Sequence, residues 1–336
     1  MNRLEVMMMT LEHQGAISVG DAFIDYLSID ENNDKYDKRL GGASVNAAVH
    51  LSRYKMESYY VTKLGYGQDS QFVKEELKKE SVKLDYSVHT QAKKLPCVYI
   101  HLDRNGDRTF HAYVNETPDD VLTIEDIQKD AFVNRQLFYF GSGTLFHEKA
   151  REATVKALKA AEKHGSFISF DANIRLKRWE SEEDCRSTIM SLLLNADIIK
   201  LSEEELLFLM EETSLEAALE KATKIPVPLI YVTVGKEGAY VIFQGQIEFI
   251  RGKVVDAIDT TGAGDAYMAA VLYCIHTYGF PATVKEAVGY GYNGNIMGAL
   301  VATKAGSLPD IGNYCHIVDE LFIKPDKMKT VKSSFK

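Results

Sequence analysis

The sequence is short of the residues that mark several functional classes. Its four cysteines, Cys97, Cys185, Cys274 and Cys315, are scattered through 336 residues without a Cys-x-x-Cys pair or Cys/His ligand spacing. That argues against a zinc ribbon or a disulfide framework and reads as reduced cytosolic thiols. Positive charge is in deficit, with 39 Lys and Arg against 48 Asp and Glu for a net −9. Neither nucleic acid nor an anionic membrane surface is therefore expected as the main partner. No apolar run approaches the length of a membrane span. Residues 1–14 carry Met7, Met8 and Met9 but neither the long apolar core nor the cleavage site of a secretory leader, so the cytoplasm is the expected compartment. Also missing is any Gly-x-x-x-x-Gly-Lys-Ser/Thr loop, and a phosphate must be held by some other device.

What is present is ordinary globular material, 46% hydrophobic and 26% charged. A short apolar strand at 16–19 followed by a helix at 43–54 opens the chain in βα order. A strand at 58–63 and a helix at 69–80 continue it. Alternating stretches at 97–102 and 109–114, joined through Asn105-Gly106, read as a hairpin that interrupts the rhythm. Strands at 137–140, 167–170, 197–201 and 229–234 then alternate with helices at 148–164, 182–194 and 203–211. A second hairpin at 239–243 and 247–250 precedes helices at 264–278 and 283–304. The alternation predicts an α/β fold, doubly wound, with a mostly parallel central sheet and helices on both faces. Its core is expected over 15–310, with an inserted β-sheet lid from 22–42 and 95–116 and flexible ends at 1–14 and 325–336.

Two apparent motifs fail on context. Asp30, Asn32 and Asp34 imitate a calcium loop, yet Lys35 stands where glycine is needed and Gly41 where the closing Glu belongs. The run from Gly289 to Gly294 matches Gly-x-Gly-x-x-Gly but lies in a helical pattern with no strand before it, so a dinucleotide site is not expected there.

The segment Asp259-Thr260-Thr261-Gly262-Ala263-Gly264-Asp265, followed by an apolar helix, is the most informative one. Gly262, Ala263 and Gly264 carry almost no side chain, so backbone N–H groups can gather round an anion at the positive end of the helix dipole. An acid beside such a hole suits a base that deprotonates a hydroxyl attacking a phosphoryl group. An N-capped helix after a tight turn would have the same local pattern. Near the other end of the chain, Gly41-Gly42-Ala43-Ser44-Val45-Asn46 pairs a glycine turn with an amide in the first turns of a helix, suited to a polar ligand or to a satisfied core Asn.

GGASVNAA, DANIRLKRW, VTVGKEG, DTTGAGDAYMAA and NGNIMGALVATKAG occur in this order, and together they resemble the ribokinase-like (PfkB) carbohydrate kinases from Gly20 to about Pro309. Within that family, GDAFIDY and DANIRLKRW resemble the fructokinase and 2-keto-3-deoxygluconate kinase branch. The resemblance implies an ATP-dependent sugar kinase using Mg²⁺, with fructose phosphorylated at its 6-hydroxyl as the first expectation. It implies Asp265 as general base, Gly262, Ala263 and Gly264 as the anion hole, and Arg175 reaching phosphate or substrate. Asp25, Gly41, Gly42 and Asn46 would bind sugar hydroxyls. Thr233, Gly235, Gly238 and Asn295 would hold the nucleotide. Glu205 would organise Mg²⁺ through water, although Ser202 replaces the Asn that the family carries three residues earlier. Asp259, Thr261, Val301, Lys304 and Gly306 would form a potassium loop, and a homodimer would assemble through the lid. A second departure is Val114, where the branch usually carries an Arg after the lid aromatics. Its absence disfavours a sugar acid, which needs a cation for its carboxylate, unless Arg104 or Arg108 compensates. Another acceptor sugar or nucleoside, a sensor that has lost catalysis, and a dehydrogenase suggested by Gly289 alone are the alternatives.

Overall fold

The computed structural model describes residues 14–103, 108–115 and 121–324. The ends expected to be flexible lie outside these residues apart from Gln14, as do Arg104 and the Asn105-Gly106 turn.

The strands run in chain order as β1 (Ala16–Val19), β2 (Phe23–Ser28), β3 (Tyr36–Gly41), β4 (Ser58–Val61), β5 (Lys63–Leu64), β6 (Val88–His89), β7 (Cys97–Leu102) and β8 (Arg108–Val114). They continue as β9 (Leu137–Gly141), β10 (Phe167–Asp171), β11 (Ile198–Ser202), β12 (Leu229–Thr233), β13 (Gly238–Phe243) and β14 (Gln246–Arg251). The helices are α1 (Ala43–Arg53), α2 (Gln68–Lys79), α3 (Glu148–Lys163), α4 (Glu182–Leu193), α5 (Glu203–Met210), α6 (Leu215–Ala222), α7 (Ala263–Tyr278), α8 (Val284–Ala302) and α9 (Tyr314–Leu321).

The central sheet has the order β14-β13-β12-β11-β10-β9-β1-β4. Pairing is parallel from β12 to β4, and β13 pairs antiparallel with both β12 and β14 at one edge. Strands covered on both faces need no polar alternation, and Leu137, Phe138, Tyr139 and Phe140 of β9 are all fully buried. Leu51 of α1, Met268 and Leu272 of α7 and Met297 of α8 pack one face. Leu158 of α3, Ile189 of α4, Leu206 of α5 and Leu219 of α6 pack the other.

A separate four-stranded sheet of order β3-β2-β7-β8 stands beside the C-terminal end of β1. Ile24, Leu40 and Cys97 turn one face of it onto Val73 and Leu77 of α2. On that same face Tyr26 stacks on Tyr99 at 4.7 Å, and its hydroxyl donates to Asp69 at 2.8 Å. The opposite face carries Asp25 and Val98.

The structure departs from the expected pattern in three places. The strand expected at 58–63 breaks at Thr62, where the chain leaves β1 and pairs β5 with β6 in a sheet of its own. The last helix ends at Ala302, two residues early, and the chain turns there. Helices α6 and α9, of eight residues each, were not expected, and neither opens on an acidic run like the one that marks the start of α5. The glycines of the 289–294 run serve packing inside α8: a methyl on Gly291 would meet Tyr231 and Ile250 within 2.8 Å, and one on Gly294 would meet the Tyr267 ring.

Candidate active site

A parallel sheet directs its strand C-termini, and the loops after them, to one edge, where doubly wound folds place their ligands. Here that edge and the second sheet enclose a cavity of about 470 Å³. Asp25, Gly42 and Asn46 line it on one side, and Gly262, Gly264 and Asp265 on the other. The two glycine motifs, more than two hundred residues apart in the chain, thus face each other.

Helix α7 begins at Gly262, whose φ of 78° is open to glycine at little strain. A methyl there would also lie 2.4 Å from the Ser307 carbonyl oxygen. Position 262 is therefore fixed both by backbone conformation and by the loop behind it. The Ala263 amide donates to the Thr260 carbonyl at 3.2 Å, which closes the turn. The first-turn amides of Gly264 and Asp265 are then the ones placed to meet an anion, in line with the helix dipole.

Asp265 lies at the cleft floor, and its Oδ2 accepts from Asn46 Nδ2 at 2.8 Å. Asn46 Oδ1 accepts in turn from Ser307 Oγ at 3.3 Å. Burial pushes the Asp265 carboxyl up to about 7, helped by the negative charge of Asp171 and opposed by Lys200, the Asn46 hydrogen bond and Arg175. A carboxylate in that range matches the task of a general base near neutrality. The Asn46–Asp265 hydrogen bond joins the α7 side of the cleft to the side of the second sheet.

On the side of the second sheet, the Asp25 carboxylate lies against Gly41, where a methyl would come within 2.6 Å of it. Burial raises Asp25 to about 6. Gly42 has a φ of 106° and starts α1, so the chain turns from β3 straight into the helix that carries Asn46. Arg39 of β3 reaches across to donate to the Ala305 carbonyl at 3.1 Å, tying this sheet to the loop after α8.

The remaining expected residues take up different positions. Arg175 lines the cleft and stands exposed, its Nη1 donating to the Ile174 carbonyl at 3.0 Å. Glu205 is not in the cleft wall: it closes a capping box with Ser202 at the start of α5, and its other oxygen accepts from the Ile174 amide at 2.7 Å. Through that bond it fixes the loop carrying Arg175. Asp259 Oδ1 accepts from the Thr261 amide at 2.9 Å and Oδ2 from the Gly306 amide at 2.8 Å. Val301 and Lys304 sit at the end of α8, and Ala302 O accepts from the amides of Ile258 and Asp259, so the residues expected in a cation loop do gather. Thr233, Gly235 and Gly238 lie beyond the cavity, at the turn from β12 to β13. Gly238 is held by packing, since a methyl would come within 2.0 Å of the Ile250 carbonyl oxygen. Asn295 of α8 donates to the carbonyls of Ile250 and Arg251 at 3.1 and 3.2 Å, anchoring the end of β14.

Sequence reasoning missed four contributors. Asp171 and Lys200 form a buried pair beneath Gly264, with Nζ at 2.8 and 3.0 Å from the two carboxylate oxygens. Asn173 lines the cleft with a φ of 38°, a strained left-handed conformation of the kind that clusters at functional sites. Arg178 also lines it, its guanidinium 4.0 Å from the Phe146 ring centre and 5.1 Å from that of Phe23. DANIRLKRW signalled the segment, but only tertiary packing reveals which of its side chains face the cleft.

A doubly wound α/β core, a small covering sheet and an acid at a glycine-rich helix mouth define a phosphotransferase architecture. The model of the pfkB family of carbohydrate kinases matches residues 14–311, and the chain belongs to that family. It is similar to the fructokinase of Vibrio alginolyticus, 32% identical over 86% of this chain and 93% of the relative. It is equally similar to the fructokinase of Klebsiella pneumoniae, 32% identical over 86% of this chain and 94% of the other. Among solved structures, a fructokinase double mutant from Vibrio cholerae O395 with fructose, ADP and potassium ion bound superposes with a TM-score of 0.82, at 27% identity, covering 93% of this chain and all of the other.

Proposed function

We propose that this protein is an ATP-dependent fructokinase that transfers the γ-phosphoryl group to the 6-hydroxyl of D-fructose. The observation that carries the reading is the Asn46–Asp265 hydrogen bond, which joins the glycine turn of the lid side to the base at the anion hole. Fructose would lie against Asp25, Gly41, Gly42 and Asn46, and ATP along Thr233, Gly235, Gly238 and Asn295 with its phosphates toward Gly262 to Gly264. Asp265 takes the proton of the attacking hydroxyl, and the amides of Gly264 and Asp265 receive charge from the phosphoryl oxygens. Arg175 is the exposed cation of the cleft wall beside them. The second sheet excludes water, which would otherwise accept the phosphoryl group.

Among the described residues no cluster of three or more His, Cys, Asp or Glu could hold a metal by itself. Mg²⁺ would be held mainly by the ATP phosphates and water. Each Glu205 oxygen already accepts one backbone amide, so Glu205 would act toward Mg²⁺ only through its remaining lone pairs and intervening water. When bound, Mg²⁺ neutralises phosphate charge. A potassium ion would take carbonyls of the loop that Asp259 and Gly306 close.

A second reading, a sugar-acid acceptor such as 2-keto-3-deoxygluconate, draws on Arg178, a cation in the cleft wall that can pair with a carboxylate. A panel of sugars with ATP and Mg²⁺ separates the two. Turnover of fructose with the keto acid inert supports the first; the reverse result replaces it with the second. No helix among the described residues is long and apolar enough to cross a membrane. Cys97, Cys185, Cys274 and Cys315 are free thiols, consistent with a reducing cytoplasm. We further infer a homodimer through the lid, whose β3 and β8 are its edge strands; light scattering at the mass of one chain would refute it.

A further inference from the structure

Lys200 occupies an improbable place for a lysine. It lies in the middle of the central sheet, paired in register with Asp171 of β10 on one side and Tyr231 of β12 on the other. Its strand neighbours Ile198, Ile199 and Leu201 are buried apolar residues, and Lys200 itself is 7% exposed. A buried ion pair seldom adds stability over apolar residues of the same volume, so packing gives little reason to keep one here.

The surroundings give another reason. Lys200 lines the same cavity as Gly264 and Asp265. Its Nζ is gripped by both oxygens of Asp171, and the Tyr139 hydroxyl holds that carboxylate from the far side at 3.2 Å. A methyl on Gly264 would stand 3.1 Å from Nζ, so the ammonium rests directly under the backbone of the anion turn. Two positive ends, the mouth of α7 and the lysine, thus converge on one point where a transferring phosphoryl group would sit.

We propose that Lys200, clamped by Asp171, is a positioning residue for phosphoryl transfer: it supplies fixed positive charge beneath the anion turn, in the cavity that Asp265 also lines. The charged and titratable groups facing Asp265 are Asp171 from β10, Arg175 from the loop after it and Lys200 from β11, with Tyr139 of β9 behind Asp171 and Glu205 of α5 beside Lys200. Asn46 of α1 adds a neutral donor. Burial alone would lower the Lys200 ammonium, but Asp171, Glu205 and Asp265 outweigh it and hold it charged. Lys200 in turn favours ionised Asp265, whereas Asp171 opposes it. The two members of the pair therefore act on the base with opposite sign, and a loss of kcat that persists when both are neutral is what a merely structural pair would not produce.

The inference rests on Asp265 acting as base in a sugar kinase, and its test is the pH profile of kcat/KM for fructose in three variants of the full chain. Lys200→Met is expected to move the acidic limb up by about one pH unit and lower kcat about tenfold or more. Asp171→Asn is expected to move the limb down by a similar amount. The double variant, which buries no unpaired charge and keeps the fold if a single variant does not, is expected to return the limb to within about half a unit of the unaltered chain with kcat still depressed. Limbs that stay in place, or that shift the same way in Lys200→Met and Asp171→Asn, overturn the inference and leave the kinase reading intact. An unaltered chain that phosphorylates no sugar overturns both.

Discussion

In the proposed reaction Asp265 is the base, and its usefulness there depends on its burial. Desolvation raises its carboxyl to about 7, and the ionised form is the one that accepts a proton, so activity is expected to rise with pH through about 7 and to fall away below it. Asp265→Asn keeps the shape and an acceptor for Asn46 but removes the proton sink. We expect kcat to fall by about 10²- to 10⁴-fold while fructose still binds, read by calorimetry beside steady-state kinetics. Gly41 makes a different residue-scale prediction. Its φ is not in the left-handed region, and the constraint is space, because an added methyl would meet the Asp25 carboxylate at 2.6 Å. Gly41→Ala should therefore raise the KM for fructose about tenfold or more and leave the KM for ATP nearly unchanged, since the carboxylate moves and the anion turn does not.

Between elements, the mouth of α7 is held by the end of α8. Asp259 takes the amides of Thr261 and Gly306, and Ala302 takes those of Ile258 and Asp259, so the anion turn and the loop behind it behave as one piece. Asp259→Ala frees two amides and loosens Gly262 against Ser307. It should lower kcat about tenfold and abolish any difference between potassium and tetramethylammonium in the assay, with about 1–3 kcal/mol lost from stability. These joints also explain what the sequence could convey. Gly262, Gly264, Gly41 and Gly42 were legible because only small residues satisfy such turns and close approaches, and the alternation of β9 to β12 with helices betrayed a parallel sheet. The Lys200–Asp171 pair was not legible. It exists because β10 and β11 align residue 171 with residue 200, and a single lysine in an apolar strand carries no mark of that register. Glu205 shows the converse: its acidic run announced a helix start, and the structure finds a capping box there, with any role toward metal resting on the remaining lone pairs.

At the scale of the molecule, the site and the core draw stability in opposite directions as pH changes. His50 of α1 is fully buried, with Nδ1 2.7 Å from the Tyr314 hydroxyl, and burial, aided by the nearby Arg53, lowers its pKa to about 3. The unfolded chain binds a proton there below about 6.5 and the folded chain does not, so this contribution is complete above 6.5 and shrinks as pH falls toward 3. Asp265 behaves in the reverse sense. Its folded pKa is raised, so the folded chain holds a proton that the unfolded chain has lost between about 4 and 7, and its contribution is lost as pH rises through about 7. In the unaltered protein the two slopes oppose each other between about 4 and 6.5, and Asp25, raised to about 6, adds to that of Asp265, so the whole profile reports neither group by itself. Substitutions separate them. Relative to the unaltered chain, Asp265→Asn should gain on the order of 2–4 kcal/mol on going from pH 5 to pH 8, because at pH 8 it no longer buries an ionised carboxylate beside Asp171. His50→Gln should change in the other direction, losing its disadvantage as pH falls from 6.5 to 4. Urea midpoints of the three proteins at pH 4, 5, 6.5 and 8 provide the measurement. An Asp265→Asn curve parallel to that of the unaltered chain would mean that the carboxylate is not desolvated in the folded state, and with that the reason for its basicity near neutral pH would be gone.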